Sequence, residues 1–104
     1  MMREAVEAYL LCLREERFYD AHEVLEAFWF PRRFEKTDDV LLLKGFINAS
    51  VSFELIKRGR PEPSMRAWKT YMKYLPLMEN VPVDQQFHYK MLAEAVETTR
   101  SRYV

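Results

Sequence analysis

Two glycines, Gly45 and Gly59, are all that this chain of 104 residues possesses. Hairpin turns consume glycine because they place residues at positive φ, so a β-rich fold is disfavoured from the outset. The apolar residues agree: they recur every three or four positions, which is helical spacing. With 49% hydrophobic and 14% aromatic residues, the chain can bury one good core. No repeat, low-complexity tract or linker interrupts it. Residues 1–104 therefore read as a single all-α domain, a compact bundle of about five helices.

The helix ends are signalled locally. Residues 3–16 gather Ala5, Val6, Tyr9, Leu10, Cys12 and Leu13 on one side of a first helix. A second is expected from Asp20, as its N-cap, to Phe30, where Pro31 stops it. Thr37 or Asp38 caps a third that continues to Arg58 and closes at Gly59. This third helix is apolar on more than one side, and Gly45, Ala49 and Ser52 form a small-residue strip where a neighbour can approach closely. Pro61 and Pro63 open a fourth, expected to turn Met65, Trp68, Met72 and Leu75 inward and Arg66, Lys69 and Lys73 outward until Pro76. Pro82 and Asp84 open the last, with an inward stripe of His88, Leu92, Ala95, Val96, Thr99 and Tyr103.

Acidic and basic residues balance at 16 each, so no overall nucleic-acid or membrane signature exists. The balance hides an asymmetry: residues 1–39 carry six basic and ten acidic groups, residues 40–104 ten and six. Attraction between these halves across the bundle is the simplest expectation. Cys12 is the only cysteine, which excludes an internal disulfide. The N-terminal residues lack a signal-peptide pattern and the longest apolar run, Val40 to Leu43, is far short of a membrane span. A cytoplasmic protein is expected.

Chemistry concentrates in the second helix. At about 100° per residue, Glu26 follows His22 at i+4, so imidazole and carboxylate can touch. Glu23 is rotated about 100° away, and Trp29 lies above His22. The His-Glu-x-x-Glu spacing resembles a zincin helix with Glu26 in place of the second histidine, and a metal there needs further ligands from facing helices. Glu54 is one candidate, in line with the apolar Leu43 and Ile47, where a carboxylate requires a partner such as His22 or a basic side chain. His88 is another. The alternative is that His22, Glu26 and Trp29 form a purely structural hydrogen-bond network. A second feature is the run Lys57, Arg58, Arg60, Arg66, Lys69 and Lys73, opposed only by Glu62. It can track phosphates, with Tyr71 and Tyr74 placed to stack on bases, or it can be a solvated face.

The stretch Phe18-Tyr19-Asp20-Ala21-His22-Glu23-Val24-Leu25-Glu26 with Trp29, together with Leu43-Lys44-Gly45-Phe46-Ile47-Asn48-Ala49 and Lys57-Arg58-Gly59, resembles the domain of unknown function 309 family. The resemblance covers residues 17–75 and implies membership of a group of small bacterial and archaeal helical proteins. It implies no established activity. Lys44 and Asn48 stand where that family usually has glutamines, and Glu54 where it often has a histidine. If the family's polar residues form a site, those exchanges alter its charge and metal preference.

The leading expectation is a polar pocket of His22, Glu23, Glu26 and Glu54, roofed by Trp29, that binds a divalent metal or a small ligand. His22, Glu26 and Glu54 are the candidate metal ligands, and His22 with Glu26 the candidate acid/base pair should the site be catalytic. The alternative is a non-enzymatic nucleic-acid- or protein-binding module using residues 57–73. A membrane partner is not expected, nucleic acid is disfavoured by the charge balance, and self-association is compatible with the sequence.

Overall fold

The third helical segment, Asp38–Lys57, organises the molecule because it is buried on nearly every side. In the computed structural model, which describes residues 2–103, it is α3. It follows α1 (Met2–Arg14) and α2 (Phe18–Trp29) and precedes α4 (Pro61–Tyr74) and α5 (Val83–Ser101). Short 3-10 turns at Phe30–Arg32 and Leu75–Asn80 complete an all-α bundle, and no strand occurs among the described residues. None of the described helices is long and apolar enough to cross a membrane.

α1, α2, α4 and α5 all pack on α3 or on each other around one continuous core. Leu42, Leu43, Phe46, Ile47 and Phe53 of α3 meet Tyr9 and Leu13 of α1, Phe18 and Leu25 of α2, and Tyr89, Leu92 and Val96 of α5. The buried Tyr9 hydroxyl donates to the carbonyl of Phe46 at 2.9 Å, which satisfies the one polar atom that would otherwise make this ring costly inside. Burial pushes that phenol far above its ordinary pKa.

α3 and α4 form the most extensive helix pair, and the small residues explain it. A Cβ on Gly45 would lie 3.2 Å from Cβ of Tyr74, so the two backbones meet where α3 has no side chain. One end of the contact is locked by the buried Ser64 hydroxyl, which lies 2.9 Å from that of Ser52 and donates to the Ser52 carbonyl at 2.8 Å.

Several boundaries and faces differ from expectation. α1 closes with Glu16 in the left-handed region (φ 58°), its amide bonding to Leu13 O and that of Arg17 to Cys12 O. This is a Schellman closure, and it lets the chain re-enter a helix at once. α2 therefore starts at Phe18, and Asp20 is not its cap. Asp20 sits in the first turn instead, where it accepts from Arg17 at 3.1 Å and favours the helix dipole. α3 closes the same way, with Gly59 at φ 73° and bonds from Gly59 to Ile56 and from Arg60 to Leu55. At the other end α2 stops at Trp29, within one residue of the expected boundary, and Pro31 lies in the 3-10 turn that follows.

The fully buried face of α4 is Ser64, Ala67 and Tyr71; of the residues expected inward, Trp68 and Leu75 pack against the core while partly exposed, and Met65 and Met72 are exposed. Close approach to α3 selects the small side chains and rotates the larger apolar ones to the flank. On α5 the same correction replaces His88 with Tyr89, which is buried beside Leu92, Val96 and Thr99. The acidic and basic halves do not neutralise each other by contact. Every ion pair among the described residues joins two residues of the same half.

Candidate functional site

α2 and α3 run past one another so that the first turns of α2 face the last turns of α3. Between them lies a groove of about 230 Å³. Its walls are Phe18 and Tyr19 from α2 and Val51 and Leu55 from α3; its polar groups are His22, Glu54, Arg58 and Arg60. Phe18 is fully buried and forms the floor, held against Phe53 and Tyr103 with ring centroids 5.4 and 6.1 Å apart. Tyr19 is half exposed and leans on His22, with ring centroids 5.7 Å apart.

Two of the predicted residues, His22 and Glu54, share this groove. His22 Nε2 lies 3.2 Å from Glu26 Oε2, as the i+4 spacing requires, so Glu26 holds the imidazole from outside the groove. Glu54 finds its partner on its own helix, where Arg58 Nε donates to Oε2 at 2.7 Å. Of the two partners the sequence allowed, a basic side chain one turn on is the one realised.

Three other expectations fail on geometry. Glu23 is exposed and does not line the groove, since 100° of helical rotation carries it to the solvent side. Trp29 does not roof His22. It lies about 10 Å further along the helix axis and packs, half buried, against the core. His88 faces α1 across a separate surface depression with Arg3 and Glu7. Accordingly, His22, Glu26 and Glu54 do not make a ready metal centre, and no group of three or more His, Cys, Asp or Glu side chains placed to hold a metal occurs among the described residues.

Tyr19, Val51, Leu55, Arg58 and Arg60 line the groove but were not assigned to the His22 pocket from the sequence, where Arg58 and Arg60 counted only as part of the basic run. Arg58 carried a usable signal, because it follows Glu54 at i+4. Arg60 carried none, because its position depends on the tight closure at Gly59.

The basic run has a different character from the one expected. Tyr71 is buried against Phe46 and Trp68, at ring centroid distances of 5.4 and 4.9 Å, and Cβ of Tyr74 sits beside Gly45. Buried Tyr71 cannot serve as a stacking platform for bases, and the partly buried Tyr74 ring is approached by Lys73 Nζ at 5.3 Å. Arg66, Lys69 and Lys73 are exposed as predicted.

No curated protein and no solved structure matches this chain. A family model does match, that of the domain of unknown function DUF309, over residues 6–67. The matched span begins within α1, includes all of α2 and α3, and ends in α4, so it contains every residue that lines the α2–α3 groove. Of the three polar positions that the resemblance drew attention to, Glu54 lines the groove, whereas Lys44 and Asn48 lie outside it, with Asn48 donating to the Lys44 carbonyl at 2.9 Å. The chain belongs to the domain of unknown function 309 family.

Proposed function

We propose that this protein binds a small ligand in the α2–α3 groove, and that the ligand has an apolar body and an anionic end. What carries this is one groove whose walls are Phe18, Tyr19, Val51 and Leu55 and whose rim presents His22, Glu54, Arg58 and Arg60. A mostly apolar concavity with a few convergent polar groups is the ordinary form of a small-molecule site. At about 230 Å³ it lies below the usual drug-sized range of roughly 300–1,000 Å³, which favours a short-chain or single-ring ligand over a nucleotide.

Charge selects the sign of the ligand. His22 is paired with Glu26 and Arg58 with Glu54. Arg60 is in no ion pair among the described residues, so the groove carries one uncommitted cation. The helix that Arg60 precedes offers few amides to an anion, because Pro61 and Pro63 stand in its first turn and lack the N–H. Anion recognition therefore falls to the guanidinium, which suits carboxylates by its paired donors. A divalent metal would find only His22 and Glu54 on the walls, each already engaged, and is the less favoured ligand.

Hexanoate and hexanol serve as probes. Hexanoate should bind more tightly than hexanol, and Arg60→Gln should reduce its affinity about fivefold to tenfold, the loss of roughly one charge-assisted contact. Hexanol binding should be unchanged in that variant. Equal affinities for both probes in the wild type, or an Arg60→Gln variant that binds hexanoate normally, would contradict the anionic reading. No binding of either would contradict the site itself.

A further inference from the structure

The apolar stripe that the sequence turns toward the core of α4 is left standing at its edge. Met65 and Met72 are 46% and 48% exposed, and Trp68 and Leu75 are only partly covered. α4 and α5 do not pack closely on one another, and the space between them is a groove of about 270 Å³ whose walls include Trp68, Met72, Leu75, Ala93 and Val96. Trp68 and Leu75 back onto the core, and the stripe continues outward through Met65 and Met72 as apolar surface that no helix covers.

Its borders are cationic. At about 100° per residue, Lys69, Lys73 and Arg66 follow Met65 around α4 within roughly a quarter turn. All three are exposed, and none is in an ion pair among the described residues. From the α5 side, the Arg100 guanidinium stands over the Trp68 ring at 3.9 Å. Glu97 is the one acid on the groove wall. On the α4 border three cations outnumber the one acid, Glu62, and on the α5 side Arg100 stands beside Glu97; an apolar trench with this net positive border is complementary to an amphipathic helix whose apolar stripe is flanked by acids. Exposed methionines suit such a surface because their unbranched, polarizable side chains adapt to the incoming residues.

A second copy of this chain does not fit the trench. A symmetric α4–α4 pairing would bring Arg66, Lys69 and Lys73 against their own counterparts. The acidic half of another copy exposes Leu11, Tyr19, Phe30 and Phe34, which lie on separate elements with Arg33 over both phenylalanine rings, and so form no acid-flanked helical stripe. Nucleic acid fits less well too, because Tyr71 is buried and the Trp68 ring is already covered by Arg100, which leaves Met72, Leu75, Ala93 and Val96 as the remaining apolar wall. We infer that the α4–α5 face docks an acidic amphipathic helix of another protein, with Met65, Trp68, Met72 and Leu75 as the apolar seat and Arg66, Lys69, Lys73 and Arg100 as its charged rim. The site lies apart from the α2–α3 groove and does not depend on it.

The test uses the full chain and a fluorescent helical peptide of about 16 residues, long enough to hold a helix, with leucines at i, i+3, i+7 and i+10 and glutamates beside them. Fluorescence anisotropy at about 0.15 M salt should show saturable binding. Replacing the leucines with alanine, or the glutamates with lysine, should weaken it at least tenfold, and so should Lys69→Glu/Lys73→Glu or Met72→Asp in the protein. These positions are exposed, so the variants keep their fold, which an unchanged helical spectrum and melting temperature establish in the same experiment. Absence of binding, or binding indifferent to the leucines or to Lys69→Glu/Lys73→Glu, overturns the inference. Tighter binding of an oligothymidine, abolished by the same protein variants, overturns it in favour of nucleic acid.

Discussion

A single methyl group on Gly45 tests how closely α4 lies on α3. In a helix exposed to solvent, alanine in place of glycine stabilises by about 1 kcal/mol. At position 45 the added Cβ would meet Cβ of Tyr74 at 3.2 Å, with Cα and O of Tyr71 at 3.7 Å. Carbon atoms rest at roughly 3.5–4.0 Å, and Cβ of Tyr74 is bonded to the backbone and cannot rotate aside. α4 must withdraw by some tenths of an ångström, against the hydrogen bonds that tie Ser64 to Ser52 at 2.8 and 2.9 Å. Overpacking of this kind costs about 1–3 kcal/mol. The difference predicts that Gly45→Ala destabilises by about 1 kcal/mol, and that Gly45→Val costs clearly more. Urea unfolding followed by circular dichroism measures both as lowered midpoints at constant slope. A midpoint that rises in Gly45→Ala, as it would for an exposed helical glycine, refutes the close approach of α4.

Other variants address the site and the stripe. His22→Ala should shift stability by less than about 1 kcal/mol, because its ion-pair partner Glu26 is exposed; a larger loss in chemical unfolding would make the pair a structural network. The chelator-treated protein should melt at the same temperature with and without zinc, manganese or nickel, whereas a shift abolished by both His22→Ala and Glu54→Ala would establish a metal site. Trp68→Ala should cost about 2 kcal/mol in urea unfolding, below the roughly 3–5 kcal/mol of a fully buried aromatic, since Trp68 is only partly covered; a cost in the full range would return it to the core. Asp39 is pulled below the ordinary carboxylate range, because hydrogen bonds from Thr37 and Arg32 outweigh the larger opposing effect of its burial. Its contribution is present above about pH 4 and lost as pH falls through the lowered folded value. The melting-temperature gap between wild type and Asp39→Asn should thus be open at neutral pH and close in acid; a gap constant with pH would refute the assignment.

The helices were legible because their signals are local: proline and glycine at the ends, apolar spacing between. The identity of α3 as the central helix and the role of Gly45, Ala49 and Ser52 as a contact strip were also readable, since small residues in register admit a neighbour's backbone. Which face of α4 would be buried was not. Periodicity ranks side chains by hydrophobicity and so favours Met65, Trp68 and Met72, whereas the close contact with α3 selects Ser64 and Ala67 by size. The His22–Glu26 pair was visible because both residues occupy one helix. The groove around it was not, because its far wall depends on how α2 crosses α3, and Arg60 reaches it only through the left-handed turn at Gly59. Helical rotation alone excluded Glu23 from the His22–Glu26 face; it did not reveal that Trp29 is too far along α2 to cover His22.

The most direct test of the central claim is where hexanoate sits on the protein. In an isotope-filtered NMR experiment on the bound complex, the ligand's methylene protons should show transfer to the methyl groups of Val51 and Leu55 and to the Tyr19 ring. Its carboxylate should perturb the Arg60 side-chain resonances. Contacts confined to Trp68, Met72 and Val96, or an absence of any contact at Val51 and Leu55, would contradict the assignment of the α2–α3 groove as the ligand site.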